Sequence, residues 1–322
     1  MEATALAHPN VALIKYWGKR DVAMNLPAVG SLSLTLGGLR TQTMVRFDAT
    51  LQSDQLLLNG KPDDRALSRV SRCLDLLRAR AGVSSKARVE TSNDFPTGAG
   101  LASSASGYAA LVKAAAAALQ LDADADFLSE VARIGSGSAP RSLFGGIVLL
   151  DAGIGTDKTT CRTVAQPAEW PLQVVVAITS RAAKEVGSTG GMESSRDTSP
   201  YYGAWVVTHP ADLAAGLDAV RKHDFTRLAD LSEASCLKMH AVAMTSQPPL
   251  LYWSGVTVEC MRVVQRLRRE GLPVFYTIDA GPQLKAVCLP DAVTRVQAEL
   301  QQVPGVLDAR VCTLGAGAWV EQ

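Results

Sequence analysis

The chain has 322 residues, 47% hydrophobic and 20% charged, with a formal net charge of +1; this is the composition of an ordinary globular protein, long enough for two domains or one bilobed domain. The near-neutral balance, without a long basic run, argues against a dedicated nucleic-acid binder but leaves room for a local basic pocket. No apolar run approaches the roughly 18 residues that span a bilayer, and the start MEATALAHPN lacks the positive n-region of a signal peptide, so no membrane partner is expected.

Strand-like runs and amphipathic helices alternate along the chain. SLSLTL (Ser31–Leu36) alternates strictly, TQTMVRFDA (Thr41–Ala49) follows in kind, and QLLLNGKP reads as a strand entering an Asn-Gly hairpin turn. Helical spacing covers Arg65–Ala81, KARVETSND is extended, and Ala102–Leu119 is an Ala/Leu helix apolar enough all round to be buried. FLSEVARIGSGSA is a helix running into a Gly/Ser loop, GGIVLLD a strand, and Pro171–Thr179 a buried strand. The segment SRAAKEVGSTGGMESSRDTSPYY is polar and rich in turn formers. Helices Ala211–Val220, Asp224–Met239 and Gly255–Glu270 precede strands PVFYTIDAG and LKAVCL, a helix Asp291–Gln302 and a strand DARVCTL. Strand–strand–helix–strand after a long helix predicts an α+β sandwich of ferredoxin-like type. A boundary near Thr179 divides residues 1–179 from 180–322. The six cysteines (Cys73, Cys161, Cys236, Cys260, Cys288, Cys312) are dispersed, without CxxC or zinc spacing, which fits a reducing, cytoplasmic compartment.

DFPTGAGLASSASG (Asp94–Gly107) admits several mechanisms. A P-loop needs a lysine after its glycines, and none follows here. A dinucleotide fingerprint needs GxGxxG directly after a buried strand, whereas Gly98-Ala99-Gly100-Leu101-Ala102-Ser103 ends on serine and is preceded by Pro96. A third mechanism is a glycine loop whose backbone N–H groups feed a helix N-terminus, where phosphate oxygens bind readily. Ser103, Ser104 and Ser106 would add hydroxyl donors. A Ser-capped buried helix after a flexible loop competes with it, and the residues alone leave these two level. HPNVALIKYWGKRD (His8–Asp21) sets Lys15, Lys19 and Arg20 around Tyr16 and Trp17, either as a solvated strand edge or as a diphosphate clamp. GSGSAPRSLFGG (Gly135–Gly146) offers Ser136, Ser138 and Arg141, as a structural loop or as a hydroxyl nest with a cation for carboxylate or phosphate. TIDAGP puts Asp279 at a strand end, as a turn former or a general base.

PTGAGLASSA (Pro96–Ala105) resembles the PxxxGLxSSA phosphate motif of the GHMP kinase superfamily. With NVALIKYWGKRD, RIGSGSAPRSLFGG, GSTGGM…TSPYY, MHAVAMTSQPPLLYW and YTIDAGP, in this order, almost the whole chain is similar to the diphosphomevalonate decarboxylase family. The resemblance implies the GHMP kinase fold, an α+β class in which an N-terminal α+β domain with the phosphate loop faces a ferredoxin-like α/β sandwich across the active-site cleft. It implies ATP-dependent decarboxylation of (R)-5-diphosphomevalonate to isopentenyl diphosphate, ADP, phosphate and CO2, with Mg2+ accompanying ATP, and a homodimer. Asp279 then matches the catalytic aspartate, Lys15 the lysine near it and Arg141 the active-site arginine. Tyr16, Lys19, Ser136, Ser138, Ser188 and Ala280 match positions that hold the diphosphomevalonate. Gly98, Ala99, Gly100, Leu101, Ala102, Ser103 and Ser104 match the ATP phosphate loop, with the Ser103 or Ser104 hydroxyl as support for Mg2+.

Alternatives within the resemblance are a 5-phosphomevalonate decarboxylase, a mevalonate 3-kinase, and a non-catalytic ligand sensor on this scaffold. Lys15, Arg141 and Asp279 together disfavour the kinase, and Asp279 beside the phosphate loop disfavours the sensor; Lys19 and the serine loops favour the diphosphate. Two departures stand out. Val29 and Gly30 replace a usual Asn-Ser pair, which is expected to remove two polar groups near the cleft entrance, and Thr189 stands where some bacterial relatives have arginine.

Overall fold

A computed structural model of the chain describes residues 1–98 and 100–321. Six strands of one sheet pair in the order Trp319–Val320, Glu2–Ala7, Thr41–Asp48, Lys86–Asn93, Gln55–Leu58 and Lys61–Pro62. Thr41–Asp48 alternates buried and outward residues along its whole length, so one face of this sheet takes helices and the other does not. The covering helices are α1 (Asp64–Ala81) and α2 (Ser103–Ala118). Apolar residues Val70, Cys73, Leu74 and Leu77 line the inner face of α1; Asp63 caps its start by accepting from the Ala66 N–H, and Gly82 ends it in the left-handed conformation. Asn59 and Gly60, at φ of 50° and 76°, make the hairpin turn expected from their sequence.

A second, antiparallel sheet runs Thr160–Ala165, Ile147–Asp151, Ser31–Thr35, Asn10–Ile14. Ser31–Thr35 is buried at every residue, although its alternation predicts a half-exposed strand. Its hydroxyls are satisfied inside the protein instead: Ser33 donates to Val148 O and Thr35 to Phe144 O. Helix α3 (Ala125–Gly135) leads through a short turn, Ala139–Leu143, into this sheet.

Three helices, α4 (Ser188–Thr198), α5 (Tyr202–Arg221) and α6 (Phe225–Met244), open the second half. They are followed by α7 (Gly255–Arg269) and α8 (Val293–Gln301) around a sheet ordered Val274–Ile278, Leu284–Cys288, Gln173–Ile178, Asp308–Thr313, antiparallel throughout. The first strand of this unit thus pairs with its third and fourth, the expected ferredoxin-like βαββαβ arrangement. One apolar core, with Leu13, Leu32 and Leu34 from the first half and Val174, Val176, Phe275 and Val287 from the second, joins the halves.

Several elements differ from the sequence expectation. Helix α5 begins at Tyr202, not Ala211, and carries Pro210 in its interior. A proline removes only its own N–H from the ladder, and the turn before it is anchored by Trp205 and His209, both buried and hydrogen-bonded to backbone. Helix α6 continues to Met244, and α4 occupies part of the segment that reads as turns, with Gly191, Met192 and Ser195 inward; tertiary packing overrides local propensity at both places. Gln173–Ile178, placed before the Thr179 boundary by sequence, hydrogen-bonds within the four-stranded sheet of the second half. The strand Trp319–Val320 returns to pair with Glu2–Ala7 in the first.

Candidate active site

A cleft of about 530 Å³ lies between the halves and is lined by each of the segments singled out in the sequence. At its floor the Val274–Ile278 strand ends one residue before Asp279, and Asn10–Ile14 ends one residue before Lys15. Lys15 Nζ donates to Asp279 Oδ1 at 2.6 Å, and Lys285 Nζ lies 3.8 Å from Oδ2; both ammonium groups are 1% exposed, the carboxylate 24%. Burial alone would raise the Asp279 carboxyl, but Lys15, Lys285 and Arg141 outweigh it and hold the group below the ordinary carboxylate range. Asp279 is therefore ionised and ready to accept a proton.

Helices α5 and α6 fix the backbone on both sides of this pair. The Lys15 N–H donates to Ser235 Oγ at 3.0 Å, and the Ile278 N–H to Cys236 Sγ at 3.3 Å. His209 Nε2 meets Lys15 O at 2.8 Å and His240 Nε2 meets Ile278 O at 3.1 Å. A carbonyl can only accept, so each imidazole carries its proton on Nε2. Burial lowers both rings, His240 to about 3, which keeps them neutral.

Arg141 is buried beside the cleft. Its Nε donates to Asn10 Oδ1 at 2.9 Å and Nη1 to Ser31 Oγ at 2.7 Å, while the guanidinium sits 5.7 Å from the centre of the Tyr16 ring. Asn10 is itself held by donating to Ser142 Oγ at 2.7 Å. Nη2 has no protein acceptor among the described residues, which leaves it for an anion in the cleft. The Tyr16 hydroxyl, buried and also without a partner there, borders the same space; burial pushes its pKa up to about 12, so it stays a donor.

The glycine loop packs against the residues that follow Asp279. Gly98 and Gly100 have φ of 71° and 84°, and a Cβ on Gly100 would stand 2.8 Å from Gly281 Cα, so the loop can rest on the residues after Asp279 only as glycine. Ala102, at φ 52°, starts α2 with no side-chain cap. Its first-turn N–H groups are therefore left without the serine cap of the competing reading. Ser103 Oγ accepts from the Gly98 N–H at 3.2 Å, and Ser104, Ser136 and Ser138 form a chain of hydroxyls at 3.2 Å spacing from this loop to the GSGS segment. Gly98, Gly100, Ala102, Ser103, Ser104, Ser136 and Ser138 line the cleft; Ala99 lies outside the described residues. Lys184 Nζ donates to Ser188 Oγ at 2.7 Å and to Ala280 O at 2.8 Å, and Lys19 Nζ to Thr189 Oγ1 at 3.5 Å.

Four expectations need correction. Leu101 belongs to the apolar core, so only its backbone can face a phosphate. Arg20 donates to the carbonyls of Pro27, Ala152, Gly153 and Thr156, a structural role that removes it from the clamp. Ser106 is buried against Thr41, 2.6 Å away. Val29 and Gly30 do not stand at the cleft entrance: Val29 packs with Trp17 and Trp205, and a Cβ on Gly30 would meet Leu213 and Leu150 O inside 3 Å.

Sequence reasoning missed Asn10, Ser31, Lys184, Lys285, Arg69 and Arg72. Of these, Asn10, Arg69, Arg72 and Lys184 line the cleft. Arg69 and Arg72 sit three apart on α1, a spacing that places both on one face, and Lys285 interrupts an apolar strand; these are the signals available in the sequence. With Lys19 they give the cleft several cations, which suits a polyphosphate and supplies charge that Thr189 does not. Among the described residues no three acidic, histidine or cysteine side chains converge on a metal site. A divalent ion fits here only as a companion of bound phosphates, with the Ser103 and Ser104 hydroxyls near the loop.

Comparison with known proteins covers both halves. A diphosphomevalonate decarboxylase-like N-terminal domain matches residues 7–163, and a mevalonate 5-diphosphate decarboxylase C-terminal domain matches residues 174–310. The diphosphomevalonate decarboxylase of Candida albicans is 37% identical over 297 residues, 87% of this chain and 82% of that protein. The crystal structure of mevalonate diphosphate decarboxylase from Staphylococcus aureus superimposes with a TM-score of 0.93 at 34% identity, over 100% of this chain and 98% of the other. A solved complex, MDDEF with MVAPP, AMPPCP and magnesium, does so with a TM-score of 0.91 at 35% identity, over 100% and 99%.

Proposed function

The chain belongs to the diphosphomevalonate decarboxylase family, with its GHMP kinase fold, and from that premise we propose that it converts (R)-5-diphosphomevalonate and ATP into isopentenyl diphosphate, ADP, phosphate and CO2. The observation that carries the reading is the ionised Asp279, held by Lys15 at 2.6 Å, in one cleft with Arg141 and the uncapped glycine loop. The MDDEF complex with MVAPP, AMPPCP and magnesium has the same fold over the same length, which supports ATP and Mg2+ as companions.

The tertiary C3 hydroxyl of the substrate is a poor leaving group. ATP with Mg2+ supplies the γ-phosphoryl group that converts it into a good one. Asp279 takes the hydroxyl proton or orients it, and Lys15 holds the carboxylate in place and keeps it charged. Arg141, fixed by Asn10, Ser31 and Tyr16, presents Nη2 to the substrate carboxylate and aligns the carbon–carbon bond that breaks as phosphate leaves. Ser136, Ser138, Ser188, Lys19, the Tyr16 hydroxyl and the backbone at Ala280 bind the diphosphate. The glycine loop from Gly98 to Ser104 takes the nucleotide phosphates, where positioning and fixed charge provide most of the catalysis for a loose phosphoryl transfer.

The six cysteines are all unpaired and buried, which supports a cytoplasmic setting, and the homodimer rests on the family resemblance; light scattering of purified protein tests the latter. Two units with the cleft between them fit best when divided ahead of Gln173, given the pairing of that strand.

The direct test is simultaneous measurement of ADP and CO2 from purified protein supplied with mono- or diphosphomevalonate. Equal release of both products from the diphosphate alone is expected. Asp279→Ala should keep its affinity for a non-hydrolysable ATP analogue while turnover falls about 10³-fold, within the range of a general base; near-wild-type turnover would remove Asp279 from the chemistry.

A further inference from the structure

Lys285 lies within Leu284–Cys288, where Leu284, Ala286, Val287 and Cys288 are all fully buried and Lys285 itself is 1% exposed. An ammonium so deep costs several kcal/mol in lost hydration unless its donors are used. Its contacts lead to two different parts of the site. Nζ donates to Gly100 O, on the glycine loop, at 2.7 Å, and lies 3.8 Å from Asp279 Oδ2. Lys15 occupies the other carboxylate oxygen, so Lys285 is not needed to satisfy Oδ1. Packing joins the same two parts, since Gly100 stands against Gly281 too closely for a Cβ.

We propose that Lys285 is a positioning residue that ties the phosphate loop to the catalytic base: it fixes the Gly100 carbonyl, and so the loop, while its charge keeps Asp279 ionised. The inference rests on Asp279 acting as the base. The groups facing Asp279 are Lys15, Lys285 and Arg141, with Lys184, Cys236 and His240 also in its field; those facing Lys285 are Asp279, Lys15, Cys236 and Lys184. Burial, with Lys15 and Lys184 adding to it against the pull of Asp279, brings Lys285 down to about 8, so at neutral pH its charge is still present. A single ammonium thereby serves nucleotide placement and base ionisation together, and removing it affects both.

Two variants separate these roles. Lys285→Met removes the charge and the donor at nearly the same volume. Lys285→Gln removes the charge but retains an N–H for Gly100 O. The readouts are the pH profile of kcat/KM and the KM for ATP, with thermal unfolding as a check on the fold. In K285M the acid limb of the profile should move up by about one unit or more, a tenfold loss on that limb, and KM for ATP should rise. In K285Q the acid limb should move as far, with a smaller rise in KM for ATP. An acid limb unmoved in both folded variants overturns the proposal, whatever happens to stability; loss of the fold in both also overturns it, since Lys285 is then a structural group. Wild-type release of ADP and CO2 tests the underlying reading separately: its absence removes the decarboxylase assignment, whereas an active variant with an unmoved acid limb removes only the role of Lys285.

Discussion

Lys184 illustrates how much one side chain's surroundings decide. Burial pushes its pKa down to about 8, partly resisted by Asp279, yet all its contacts (the Ser188 hydroxyl, the Ala280 carbonyl and the face of Tyr252 5.7 Å away) favour the charged form. A lysine with a depressed pKa is a cation below that value and neutral above it. Affinity of the free enzyme for a polyphosphate should therefore be full at neutral pH and fall as pH rises through about 8. The expected measurement is kcat/KM for ATP against pH, which follows the free enzyme: a basic limb should begin in that region and become shallower in Lys184→Gln. A flat profile through it would mean that neither Lys184 nor Lys285 titrates there.

At the scale of elements, α5 and α6 act as a brace behind the Lys15–Asp279 pair, since His209, Ser235, Cys236 and His240 bond to the backbones of Lys15 and Ile278. Replacing His209 with leucine leaves the Lys15 carbonyl buried and unpaired, at a cost of about 1–3 kcal/mol. A lower melting temperature with reduced turnover and an unchanged ATP-analogue affinity is expected, by calorimetry and steady-state kinetics. Elements with local signals were legible in the sequence: the alternation of Thr41–Asp48, the Asn59–Gly60 turn, the apolar face of α1, the ferredoxin-like succession of the second half. The start of α5 was not, because Pro210 imitates a boundary and only the buried Trp205 and His209 carry the helix past it. The site divides in the same way. Lys15, Arg141 and Asp279 stand in compact motifs of polar and glycine residues. Lys285 and Arg69 stand in an ordinary strand and an ordinary helix, and no sequence pattern tells which neighbours tertiary structure will bring to a charge. Leu101 and Ser106 fail for the converse reason, being inside a motif whose backbone matters while their side chains face the core.

For the molecule as a whole, the chain passes between its halves twice, from Ala165 to Gln173 and again from Thr313 to Trp319. Both passes run against the double glycine that closes the Arg141 segment. The Gly146 N–H donates to Gly315 O at 2.9 Å, a Cβ on Gly146 would fall 2.2 Å from Ala165 O, and one on Gly145 would fall 2.8 Å from Gly315 O. Gly146 also has φ of 75°. Gly146→Ala should therefore cost more than the ~1 kcal/mol of an ordinary glycine substitution, read as a lower urea midpoint; an unchanged midpoint would show that the two passes can yield there. Because both connections meet at one place, a disturbance there reaches both halves at once, and with them the Arg141 segment that the double glycine closes.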